Sequence, residues 1–170
     1  MSVETHIDAL IDIKEKAIKK IINDKTVMGL VFDDPNIDMD GDEVYNVRQT
    51  TIFDHSYTDD TVQTANTMIF VESCMIKRPT ESVASWALYV QVVCSHKAVG
   101  LDHTKFIGFK GNRRDNIVRH VDVLLNGARD FGIGRMYLSS VQPVTNIPSG
   151  FSSIQLIYET DEYAVNRRAI

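Results

Sequence analysis

Two cysteines, Cys74 and Cys94, are too few for a disulfide framework or a four-thiolate metal site. That scarcity points to synthesis in a reducing, cytosolic place. No apolar run approaches the ~18 residues of a membrane span. The start, Met1-Ser-Val-Glu-Thr-His, meets charge almost at once, unlike a signal peptide. There is no internal repeat and no collagen-like period. What is present is ordinary: 170 residues, 44% of them apolar and 24% charged, the make-up of a single soluble domain. A chain near this length buries about 68–70% of its unfolded surface, so its core needs neither metal nor disulfide.

The net charge of −5 is unevenly spread. Residues 1–100 carry 16 acidic and 9 basic groups, a balance of −7, whereas residues 101–170 carry 7 and 9, a balance of +2. From Asp33 to Asp60 nine carboxylates face only Arg48, a balance of −8. Such a segment is poorly suited to phosphate backbones, and no basic groove for sequence-specific DNA binding is evident. One acidic side and one mildly basic side is the expectation.

The periodicity predicts a helix from Val3 to Asp24, with Ile7, Leu10, Ile13, Ala17, Ile18 and Ile21 in one stripe. Its other face is charged (Lys14, Glu15, Lys16, Lys19, Lys20), and packing against its own domain is expected over lying on a membrane. Residues 33–66 read as an acidic arm or extended loop within a single domain of residues 1–170, with a short strand over Val44–Phe53. Strands follow at Thr67–Ile76 and Ser85–Cys94, an antiparallel hairpin in which Trp86, Leu88, Val90, Val92 and Cys94 share one face. A second helix is expected over Arg114–Asn126, capped by Asn112 or Asp115 and ended by Gly127. Strands at Arg135–Val141 and Ser153–Thr160 complete the core, and residues 161–170 read as a polar tail. The order predicts an α+β fold: a largely antiparallel four- to five-stranded sheet, with the N-terminal helix and the second helix on one face.

The motifs that carry chemistry elsewhere are incomplete here. Asn36-Ile-Asp-Met-Asp-Gly-Asp has the glycine of a calcium loop in sixth place, but the twelfth position, where a bidentate glutamate is needed, is Val47. The histidines (His6, His55, His96, His103, His120) have no paired metal-ligand spacing, and Cys94 with His96 falls short of tetrahedral zinc. Gly108-Phe-Lys-Gly-Asn-Arg-Arg lacks the Walker lysine and serine, so it reads as a loop meeting an acidic partner surface. Ser139, Ser140, His120 and Asp122 supply triad residue types without a nucleophile elbow, and His120 and Asp122 stand two apart on a helix, off a common face. No cofactor and no catalytic constellation is expected.

Three stretches, Arg113-Arg-Asp-Asn-Ile-Val-Arg-His-Val-Asp-Val-Leu-Leu-Asn-Gly, Phe131-Gly-Ile-Gly-Arg-Met-Tyr-Leu and Ile147-Pro-Ser-Gly-Phe-Ser-Ser-Ile-Gln-Leu-Ile-Tyr-Glu-Thr, carry a resemblance. Together with the element order over residues 67–160, this half of the chain resembles the tail terminator proteins of phages and prophages of low-GC Gram-positive bacteria. The resemblance implies a virion protein assembled in the host cytoplasm, a homo-hexameric ring capping the head-proximal end of the tail tube. Its implied partners are the tail tube protein, the head–tail connector or stopper protein and, for a contractile tail, the sheath. Genome DNA would pass through the lumen without sequence-specific binding, and no membrane is involved. The alternatives are a head-completion or connector protein at the same junction, or a small cytosolic metal-binding or enzymatic domain.

A ring needs two unlike complementary surfaces on each subunit. Lys110, Arg113 and Arg114, before and at the second helix, are the expected basic contacts. Asp38, Asp40, Asp42 and Glu43 in the arm are the expected acidic counterpart or lumen lining. Arg167 and Arg168 in the tail are expected to order on assembly.

Overall fold

A computed structural model of the chain describes residues 5–39, 41–56, 66–77, 83–132, 134–160 and 163–164, with the backbone alone at 42, 45, 49, 83, 163 and 164. Among the described residues four helices, α1 (His6–Asn23), α2 (Lys25–Phe32), α3 (Gly41–Thr50) and α4 (Arg113–Leu125), accompany six strands. The strands are β1 (Ile52–Phe53), β2 (Thr67–Lys77), β3 (Val83–Ser95), β4 (Met136–Val144), β5 (Phe151–Thr160) and β6 (Tyr163–Ala164). The sheet runs β1-β2-β3-β5-β4, and β6 pairs with the start of β3. Among the described residues every pairing is antiparallel except β1 with β2, so the sheet is largely antiparallel, as the sequence predicts, with one parallel pair that makes it mixed.

α1 begins where the sequence offers a complete start signal. The Thr5 hydroxyl accepts the Asp8 N–H at 3.1 Å while the Asp8 carboxylate accepts the Thr5 N–H at 2.7 Å, a capping box that satisfies two otherwise orphaned donors. The same bonds to Thr5 hold the Asp8 carboxyl below its ordinary pKa. The buried stripe is Ala9, Ile13, Ala17, Ile18, Ile21 and Ile22; Ile7, expected in it, is 62% exposed. Burying each isoleucine contributes about 1.5–3 kcal/mol, which fixes the rotation of α1 on the sheet.

Two helices depart from the sequence expectation. α2 fills a stretch for which the sequence predicts no element, and it is buried at Val27, Met28, Gly29, Leu30 and Val31. Gly29 is required by close approach, because a Cβ there would stand 2.9 Å from the Asp34 carbonyl oxygen. α3 occupies most of the predicted Val44–Phe53 strand, leaving only Ile52–Phe53 extended as β1. The physical reason is the three-residue step from Val44 to Val47, which turns both toward the core on a helix but to opposite faces on a strand. Ile37, Met39, Val44 and Val47 therefore seal residues of the acidic segment onto the main core.

The hairpin of β2 and β3 forms in the register Thr67 with Cys94 through Cys74 with Ala87. Trp86, Leu88, Val90, Val92 and Cys94 do share one face, and on it they meet α1, α2 and α4 in a single core. Opposed positions of β5, Leu156 and Tyr158, extend that face. On the reverse face Phe53, Met68, Phe70 and Val93 form a smaller cluster. α4 starts at its Asn112 cap, as expected, and Gly127 follows its end at φ +81.

Candidate contact site at the start of helix α4

α4 is entered by the loop 96–112, which leaves β3 at Ser95 beside the start of β2. Asn112 accepts the Asp115 N–H at 2.8 Å, and its own amide donates to the Asp115 carboxylate at 2.8 Å. The buried Asn116 amide donates to the carbonyls of Lys110 and Asn112 at 2.8 and 2.7 Å, tying the loop to the helix. Gly108 and Gly111, at φ +87 and +79, take the loop through turns that L side chains rarely adopt. Between Phe106, which is buried, and Phe109, whose ring lies 5.5 Å from His120, Ile107 projects with 85% of its surface exposed. Partial burial holds His120 below the ordinary histidine pKa, and Asp24 opposes that shift.

The three basic residues expected here do not form one outward patch. Lys110 is exposed and has no ion pair among the described residues. Arg114 folds onto its neighbour Asp115, with two nitrogens 3.1 and 2.9 Å from one oxygen. Arg113 turns inward: the residue is 7% exposed and donates to the Asp33 carboxylate at 2.6 Å. The acidic group that Arg113 meets thus lies in its own chain. The other Asp33 oxygen takes Lys105 at 3.3 Å. Asp33 caps α2 in the left-handed region, φ 61, a conformation that costs a non-glycine residue roughly 1 kcal/mol or more. No local signal in the sequence marks Asp33 or Lys105 for this junction, because 80 residues separate Asp33 from Arg113.

Of the acidic residues, Asp38 is exposed and paired with Lys25 at 2.9 Å, and the hydrogen bond and charge of Lys25 lower its pKa. Glu43 is exposed on α3. Asp40 lies outside the described residues, as do Arg167 and Arg168, and for Asp42 only the backbone is described.

The chemistry-bearing residue types do not converge. The Ser139 hydroxyl donates to Glu159 at 2.7 Å, and the Tyr158 hydroxyl approaches Asp122 at 3.4 Å. Burial, with Asp122 second, pushes the Tyr158 pKa upward. Burial also pushes the Cys94 thiol up to about 11, against a weaker opposing hydrogen bond with Thr67. β3 ends at Ser95, so His96 stands exposed in the following turn, apart from the buried Cys94. Among the described residues, no three histidine, cysteine, aspartate or glutamate side chains gather as a metal ion would need.

Further exposed apolar residues stand at the end of β2 and at the start of α1. Met75 and Ile76 finish β2 in the open, and Met75 opposes Trp86. The Trp86 ring meets that of His6 at 5.5 Å, beside the exposed Ile7, and Ile11 is exposed one turn on. Among the described residues no helix is long and apolar enough to cross a membrane. No curated protein matches the chain. The YomW family profile matches residues 15–160, from within α1 to the last residue of β5. This family is of the Bacillus phage and prophage type. A match over that much of the core makes the chain a member of the YomW family.

Proposed function

We propose that the chain is a structural protein of the phage tail. In this reading it is a terminator subunit whose hexameric ring caps the head-proximal end of the tail tube, stops its growth and offers the surface to which the head connector binds. What supports this reading is the phage-type family, the α+β core in the expected element order, and one observation above all. Exposed apolar residues stand at opposite ends of the sheet, in unlike surroundings. At one end Ile107 crowns a loop that also carries Lys105 and Lys110; at the other Ile7, Ile11, Met75 and Ile76 are exposed. From Thr67 to Ile76 the separation is about 30 Å at roughly 3.3 Å per residue. Head-to-tail contacts that close into a ring need two such unlike patches per subunit.

The test is assembly. Mass measurement and negative-stain imaging with purified tail tubes should give a six-membered ring on the tube end, and Ile107→Asp should prevent it while the variant stays folded. A protein that remains monomeric with tubes present sinks the proposal. So does a protein that stays with filled heads and is missing from headless tails, the pattern of a connector.

A further inference from the structure

A cavity of about 490 Å³ opens where the C-terminal ends of α2 and α3 meet the starts of β2 and α4. Its lining is mostly polar, including Thr50, Thr51, Asn66, Thr67, Lys97 and Arg113. Arg113 is the unusual member. A guanidinium carries five N–H donors, yet this one, more than nine-tenths buried, makes a single hydrogen bond, to Asp33. Its Nε is buried with no partner. Leaving charged donors buried and unmatched is costly, and proteins retain that arrangement where a ligand completes it.

The surrounding charge points to the sign of that ligand. Asp33 is the one carboxylate in the lining, and it is already divided between Arg113 and Lys105. Lys97 makes no ion pair among the described residues. Within the lining, Lys97 and Arg113 against Asp33 leave a balance of +1. The neighbouring Asp34 carboxylate, outside the lining, accepts the Asn36 N–H at 2.9 Å. Of the threonine hydroxyls in the lining, Thr50 donates to the Asn46 carbonyl at 2.8 Å and Thr51 lies 3.2 Å from Thr50, which leaves Thr67, accepting from Cys94, with a proton to donate. The α4 backbone is not the feature here, because the Arg113 N–H is taken by the Val99 carbonyl at 2.9 Å.

We infer that this cavity binds a small anion with several oxygens, of the phosphate or carboxylate class, through Arg113 and Lys97 with the Thr67 hydroxyl beside them. The same chemistry is offered by a free anion and by an acidic side chain of another protein, and the volume admits either. The inference is independent of ring formation and stands or falls separately.

Amide chemical shifts of the full chain, followed by NMR, test it. Inorganic phosphate is added against a chloride control of equal ionic strength, and a triglutamate peptide forms a second arm. Saturable shifts are expected at Asn66, Thr67, Lys97, Ala98 and Arg113 in at least one arm. Tighter binding of phosphate assigns the site to a free anion; tighter binding of the peptide assigns it to a partner's carboxylate. Lys97→Ala, an exposed substitution that keeps the fold, should weaken that binding about tenfold, the loss of one charge-assisted hydrogen bond. Absence of saturable shifts at these amides in both arms, or unchanged affinity in Lys97→Ala, overturns the inference.

Discussion

The two faces of the sheet are built on different terms. On the helix face Trp86, Leu88, Val90 and Val92 continue into Ile69, Val71, Leu156 and Tyr158 under α1, α2 and α4. On the reverse face the apolar cluster is confined to Phe53, Met68, Phe70 and Val93 near the start of β2. Beyond it the strands are joined by polar cross-strand pairs: Gln91 to Ser153 at 3.0 Å, Gln142 to Gln155 at 3.2 Å and Ser139 to Glu159 at 2.7 Å. The helix face supplies the driving force, since apolar burial scales with area and has little directionality. The reverse face supplies alignment, because a strand slipping by one residue would exchange each polar group for an apolar one.

Removing Trp86 is the sharpest way to break the contrast. Trp86→Ala should lower stability by about 3–5 kcal/mol, read by denaturant or thermal unfolding. A loss below about 1 kcal/mol would mean that the helix face is not the dominant core. The two cysteines, one on each face, sharpen the comparison without mutation. Cys94 is fully buried, and a thiol pushed up to about 11 from 9.0 forms about a hundredfold less thiolate at neutral pH than an ordinary one. A chromogenic disulfide reagent should therefore label half-buried Cys74 first, with Cys94 reacting only on unfolding; equal rates would contradict the burial. The smallest effect belongs to the polar pairing. Gln91→Ala should cost about 1 kcal/mol, the usual net worth of one hydrogen bond. A loss as large as that of Trp86→Ala would show that both faces carry the fold equally.

His120 adds a pH dependence that belongs to the helix side. Its pKa is lowered in the folded chain, so the unfolded chain binds more protons as pH falls below about 6.5. Stability contributed by neutral His120 is therefore present above that pH and lost below it. His120→Gln should flatten this part of the unfolding profile, and an unchanged acid slope would remove His120 from the account.

What could be read from the sequence follows from how local each signal is. The β2–β3 hairpin, the faces of β3, the strands β4 and β5 and the Asn112 cap all rest on alternation or capping within a few residues, and each is present. α2 gave no amphipathic period because it is buried on nearly every side, and its valines and Gly29 are poor helix formers. α3 was hidden by Val44, Val47 and Thr50, whose branching favours strands, while tertiary packing decided for helix. The positively charged entry to α4 was legible as composition. That Arg113 would point inward to Asp33 was not, because nothing within a few residues of either specifies the other.

One carboxylate, that of Asp33, grips both the loop at Lys105 and the first residue of α4. It also ends α2, against whose Gly29 the following residues are pressed. Three segments far apart along the chain therefore share one fastening. Their backbone amides should lose protection from solvent exchange as a single cooperative unit, with one opening free energy in place of three.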